Sequence, residues 1–347
     1  MDHFRFSQAM ETASIQVESS LVWELIVGIA GYTHENLRHT FELDEKWSSE
    51  RETIPEGLLN HLKFIQETNM WYGLVMLQNR FSAPSIQDFS NQLERMPFEE
   101  FYETLLPYGG RELEAARREL ARNYSKNELF TAYADYFQNH EYLSSYVKSL
   151  AGYRHEKLCR LLTATLEEWY GWVNSSKEWD KWMQALSYEY KENKTVDQLK
   201  PIEEIERITG GVRYMPEPSV WHIKLIPHVS YRPWTLELRT SDTKLFFYPL
   251  KEEYLLEPGV PANSLVRGHK ALGDGLRLKL LYQLLLGPLS LQEVSGHFNI
   301  SKTTLHHQLS ILKSAGFVKV NKGIYSANPE EISKLSKRLS QFLGGNA

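Results

Sequence analysis

Seven side chains within ten residues, Ser301, Lys302, Thr303, Thr304, His306, His307 and Ser310, supply hydroxyls, an ammonium and two imidazoles, while Leu305, Leu309 and Leu312 recur at helical spacing. Wound as a helix, the stretch buries its leucines and turns the donors outward. Donors of this kind suit phosphate oxygens and base edges, the chemistry of reading a duplex, better than they suit making or breaking bonds. Lys302, Thr303, His306, His307 and Ser310 are the expected groove contacts, with Thr303 the better base-contact candidate. Ser301 and Thr304 stand at the same helix start, where they also serve as capping residues. Plain solvated surface is the alternative for the two histidines, and spacing leaves open whether Gln308 faces groove or core. Arg277, Lys319 and Lys322 add cations on the flanks of this helix, suited to holding phosphates.

Other constellations are less specific. Cys159 is the one cysteine, which excludes an internal disulfide and any zinc site built on several thiolates. Set between Leu158 and Leu161 in an apolar helical pattern, it reads as a buried, inert thiol. Trp169, Trp172, Trp179 and Trp182 have spacings that suit an aromatic pocket or a packed core, the core being favoured. Arg111, Arg117, Arg118 and Arg122 alternate with Glu112, Glu114 and Glu119 as a solvated face does, although an anion site is the competing reading. His34 and His39 are five apart, which is no helical ligand spacing, and read as surface residues. There is no glycine-rich phosphate loop, no Gly-x-Ser-x-Gly elbow, no His-Glu-x-x-His and no carboxylate pair arranged for acid and base roles. The expectation is a protein with no catalytic residues, no metal and no cofactor. The competing classes are an enzyme with chemistry hidden in the amino-terminal region and a protein-interaction adaptor.

The elements that would position the polar helix are legible around it. Asp274 is an acidic N-cap before a leucine-rich helix, with Leu278, Leu281 and Leu285 as its expected buried stripe, and Gly287-Pro288 ends it. Ser290 and Glu293 have capping-box spacing and open a short helix that buries Leu291, Val294 and Phe298. Asn299-Ile300 makes a tight turn, Ser301 caps the polar helix, and Gly316 is suited to close it in a left-handed conformation. Two short capped helices joined in this way form a helix-turn-helix, whose second helix enters the DNA major groove. Val318-Lys319-Val320 and Ile324-Tyr325-Ser326 flank Asn321-Lys322-Gly323 as a hairpin, a basic wing. A last helix from about Pro329 carries the apolar stripe Ile332, Leu335, Leu339 and Phe342.

Charge divides the chain in the same region. Its 347 residues carry a net charge of -5, but from Ser264 onward there are 11 Lys and Arg against 4 Asp and Glu, so that end is about +7 and the remainder about -12. All nine tryptophans precede Ser264, and the segment from Glu257 to Asn263, with Pro258, Gly259 and Pro261, has linker chemistry. We therefore expect a domain of residues 1–260 and a DNA-binding domain of residues 264–347. The first reads as seven to nine helices up to about residue 210, followed by a β-rich part at about 214–250 in which three alternating segments form a small antiparallel sheet turning at Thr240-Ser241-Asp242. The fold class is mainly α (α+β). No apolar run is long enough to span a membrane and Met1 to Arg5 do not begin a secretory signal, so no membrane partner and a cytoplasmic location are expected.

Leu272-Gly273-Asp274 followed by Arg277, then Ile300 to Leu305, then Leu309 to Val318, resemble the signature of the ArsR-type (arsenic-repressor) winged helix-turn-helix transcriptional regulators. The helical region ahead, beginning Val22-Trp23-Glu24-Leu25, is similar to a poorly characterised domain fused before such modules. The resemblance implies a homodimer reading two-fold symmetric double-stranded DNA, with contacts through the first and last helices of the module. It assigns the stripe Ile332, Leu335, Leu339 and Phe342 to that interface. It implies a regulator with no known ligand, in which residues 1–260 either sense an unidentified small-molecule effector or arrange the dimer. Metal-sensing members carry cysteines in the helix held here by Leu291 to His297, or Asp and His ligands in the last helix. This chain has no cysteine in the first and no histidine in the second, and His297 alone cannot replace a four-ligand site.

Overall fold

A computed structural model describes residues 13–34, 36–255 and 260–343. The amino-terminal segment and the linker residues 257–259 lie outside the described residues. The chain forms two compact units: Met1–Glu35 with Lys46–Leu250, and Asn36–Glu45 with Lys251–Ala347. The second unit thus takes a ten-residue piece from early in the chain, which nothing in the composition marks.

The first unit is built around the helix Leu21–Thr33, buried from Val22 to Thr33 and apolar on every side as a central helix must be. Its one charged side chain, Glu24, accepts hydrogen bonds from the amides of Val229 at 3.1 Å and Ser230 at 2.8 Å and from the Ser230 hydroxyl at 2.5 Å. Burial pushes the Glu24 carboxyl up to about 7 against those hydrogen bonds, which pull it down. Tyr32 of the same helix packs edge-on against Trp47, Trp169 and Trp172 at centroid distances of 5.6, 5.5 and 6.2 Å. Trp169, Trp172 and Trp179 of the tryptophan-rich stretch are core, and Trp182 is half-buried.

Twelve α-helices lie between Leu21 and Thr209 among the described residues, more than the seven to nine read from the periodicity. Sharp breaks contribute to the excess: Asn69 and Ser82 adopt φ of +54° and +47° and close the helices Glu56–Thr68 and Trp71–Phe81. The sheet differs too. Strands β1 (Ser14–Val17), β2 (His222–His228), β3 (Leu236–Arg239) and β4 (Thr243–Pro249) lie in the order β1-β2-β4-β3. Only β3 and β4 pair as the expected antiparallel hairpin, whereas β1 and β4 both flank β2 in parallel. Ile15, Val17, Ile223, Leu225, Phe246 and Tyr248 pack with Ile205 and Ile208 of the helix Pro201–Thr209.

The second unit holds the helices Asn263–Leu272, Gly275–Leu286, Leu291–Phe298, Lys302–Ser314 and Pro329–Phe342, with strands β5 (Leu289–Ser290), β6 (Val318–Asn321) and β7 (Ile324–Ala327) in an antiparallel sheet ordered β5-β7-β6. Leu280, Leu281, Leu284, Val294, Leu305, Leu309, Leu312, Phe317 and Val318 form its core. In the helix Gly275–Leu286 the buried face differs from the expected one, for Leu278 and Leu285 are exposed together with Tyr282 and Leu286. Leucines on all sides of that helix let periodicity choose no single face. No helix among the described residues is long and apolar enough to cross a membrane.

Candidate DNA-binding site

The polar helix is set by local chemistry on both sides. Ser290 accepts from the Glu293 amide while the Glu293 carboxylate accepts from the Ser290 amide at 2.8 Å, a complete capping box. The short helix ends at Asn299 with φ of +53°, and the Ser295 hydroxyl ties the turn by donating to the Ile300 carbonyl at 2.7 Å. Ser301 then caps Lys302–Ser314 by accepting from the Thr304 amide at 3.2 Å. With Leu305, Leu309 and Leu312 fully buried, Ser301, Lys302, Thr303, Thr304, His306 and His307 are exposed, and Gln308 lies between the two environments. Beyond Gly316, whose φ is +78°, β6 and β7 turn through Lys322 and Gly323 with φ of +49° and +78°. Two positive φ values in a two-residue turn follow the right-handed twist of a hairpin. Lys319 and Lys322 are exposed on it.

Two short capped helices, the second presenting donors, followed by a basic hairpin, form a winged helix-turn-helix. Residues 274–320 match the bacterial regulatory protein, arsR family. This unit is an ArsR-type helix-turn-helix domain. The chain accordingly carries the DNA-binding domain of a transcription regulator, together with a large helical amino-terminal unit outside that match. No curated protein and no solved structure matches the chain.

Three groups of expected contact residues are held inside the ArsR-type domain. Ser310 is 6% exposed: its hydroxyl donates to the His307 carbonyl at 2.8 Å and lies 3.4 Å from His39 Nε2 of the segment Asn36–Glu45. Arg277 is engaged within the unit. Its Nε and Nη2 donate to the carbonyls of Ala271 and Lys270 at 2.7 and 2.9 Å, and its Nη1 donates to Gln308 Oε1 at 3.0 Å. Those carbonyls end the helix Asn263–Leu272, where intrahelical partners run out, so the guanidinium caps one helix and braces the recognition helix. The stripe of the last helix is largely used at home, with Leu335 buried and Ile332 and Leu339 partly buried against the unit's own core. A Cβ at Gly268 would meet Leu335 Cδ1 at 2.6 Å, so this glycine permits the close approach. Of the four stripe residues, Phe342 remains exposed.

Replacing Arg277 with methionine should therefore destabilise the winged unit by about 2 kcal/mol, the usual scale for hydrogen bonds from a charged group. Hydrogen exchange across residues 263–343 reads that loss. The slope of DNA affinity against salt should stay unchanged, and a flatter slope would restore Arg277 as a phosphate contact.

The remaining candidates resolve into structure. Arg117 and Arg118 pair with Glu103 and Glu114, Arg122 pairs with Glu99, and Arg111 donates to the Ser219 hydroxyl. Cys159 is buried 3.4 Å from His155 Nε2, and burial pushes its thiol up to about 12, far from a reactive thiolate. Sequence reasoning missed Arg267 and Lys270, which meet Glu42 and Glu45 at 2.6 Å each. Their partners are some 225 positions away, and no local pattern signals such a pairing.

Proposed function

We propose that the chain is a homodimeric ArsR-type regulator whose two recognition helices read a two-fold symmetric operator about one helical turn apart. The observation that carries this reading is the exposed face bearing Lys302, Thr303, His306 and His307 beside a wing bearing Lys319 and Lys322. Thr303, His306 and His307 read base edges, Ser301 and Thr304 approach phosphate at the helix start, and the lysines hold the backbone. Self-association is supported by apolar surface left on the unit, at Leu278, Tyr282 and Leu285 and again at Phe342 and Leu343. Control by a small-molecule effector is supported by a cavity of about 440 Å³ in the first unit, bordered by Arg80, His222, Arg239, Glu100, Glu103 and Asp242.

His307 tests the readout. Its replacement by alanine should cost about 1 to 3 kcal/mol on the preferred duplex at one base step and little on a scrambled one, relaxing sequence preference. Titrations of both duplexes check this, and equal weakening on the two would make His307 a phosphate contact instead. Sedimentation at several protein concentrations, with and without operator, tests the dimer. A complex with one chain per duplex at saturation would contradict it.

A further inference from the structure

We propose that the segment Asn36–Glu45 is a built-in inhibitor of the recognition helix, docked beside its groove face at His307 and Ser310 and displaced when DNA binds. The inference rests on the DNA-reading role of that helix. The His39 ring lies 4.2 Å from the His307 ring, centroid to centroid and tilted by 34°, and its Nε2 is 3.4 Å from the Ser310 hydroxyl. His307 and Ser310 are one turn apart on the helix, so the short turn Arg38–Thr40 sits against the carboxy-terminal part of the recognition face and leaves Lys302, Thr303 and His306 exposed. A major groove about 12 Å wide admits one helix and leaves no room for a second segment on the side facing the bases.

Charge fixes the segment in place and also explains why DNA would compete with it. Glu42 accepts from Arg267 Nη1 at 2.6 Å and from Asn263 Nδ2 at 3.0 Å, and Glu45 pairs with Lys270 at 2.6 Å. The Arg267–Glu42 pair is largely shielded from water, the side chains being 20% and 7% exposed, so it resists screening better than a surface pair. Arg38 closes the segment on itself through Asp44 at 3.0 Å. Glu42, Asp44 and Glu45 thus set three carboxylates beside a unit whose net charge is about +7 from Ser264 onward. Phosphates seek the same cations, and they repel those carboxylates. Because the segment is continuous with the helices Leu21–Thr33 and Asp44–Ser49, any ligand that moves those ends differentially in the two states would shift the equilibrium.

The full-length chain tests this by fluorescence anisotropy on its preferred duplex and on a scrambled one. His39→Ala, which leaves the net charge unchanged with histidine neutral, and the pair Glu42→Gln with Glu45→Gln should each bind about 10-fold tighter than the parent, as the binding-competent fraction rises. Glu52→Gln with Glu56→Gln, exposed in the first unit, is the charge-matched control and should change little. Binding equilibria are reciprocal, so saturating duplex should also speed hydrogen exchange across residues 36–45 of the parent. Variants that bind no tighter than the parent and the control, or duplex that leaves or slows that exchange, overturn the inhibitor. Failure of every protein to bind any duplex overturns the DNA-reading role itself, and the inhibitor with it.

Discussion

Replacing Lys302, Lys319 and Lys322 together with glutamine should weaken binding to every duplex by about 10²-fold near physiological salt and flatten the log–log salt slope by about 2.7, the release of counterions from three phosphates. All three side chains are exposed, one in the first turn of the recognition helix and two on the wing, so the change removes charge without opening the core. Glutamine at position 322 tolerates the left-handed backbone about as lysine does, and the hairpin should keep its register. Parallel titrations of preferred and scrambled duplex over a range of salt give both numbers. An unchanged slope would mean that the wing and the helix start do not meet the backbone, and would remove the electrostatic half of the proposed interface.

The second large effect lies in the amino-terminal unit. Burial raises the Glu24 carboxyl from 4.5 to about 7. A group whose folded value is raised in this way contributes stability at pH below its unfolded value and loses it as the pH climbs through the folded one. Between pH 5.5 and 8 the first unit should therefore lose on the order of 2 kcal/mol from this group alone, and Glu24→Gln, neutral throughout, should abolish that part of the dependence. All nine tryptophans belong to the first unit, so tryptophan fluorescence in urea reports its unfolding specifically. Equal pH dependence in parent and variant would contradict a buried carboxyl titrating near neutrality. Glu24 fastens the central helix to the turn after β2, so the same titration loosens that attachment.

What could be read in the sequence was local. The Ser290–Glu293 capping box, the Ser301 cap, the Gly316 exit and the Asn321-Lys322-Gly323 turn each depend on residues within five positions, and each forms as its chemistry dictates. Long-range features left no such trace. The parallel pairing of Ser14–Val17 with β2 joins residues 208 positions apart, and four residues are too few to display alternation inside a helical region. The burial of Ser310 required knowing that residues 36–45 fold with the winged unit. The internal role of Arg277 was hidden for a different reason: spacing shows that a cation is present, but it does not show that two helix-end carbonyls already engage it.

The claim at the centre is that the ArsR-type domain reads a specific duplex through its exposed recognition face. Fluorescence anisotropy of the full-length protein, on duplexes tiled across the region upstream of its own gene and on scrambled duplex at two salt concentrations, tests it most directly. Tight binding to one tile that survives the higher salt, against scrambled binding that collapses, is the predicted result, because base contacts persist where counterion release fades. Weak binding to every tile that vanishes with salt would contradict the claim and reduce the basic unit to non-specific attraction.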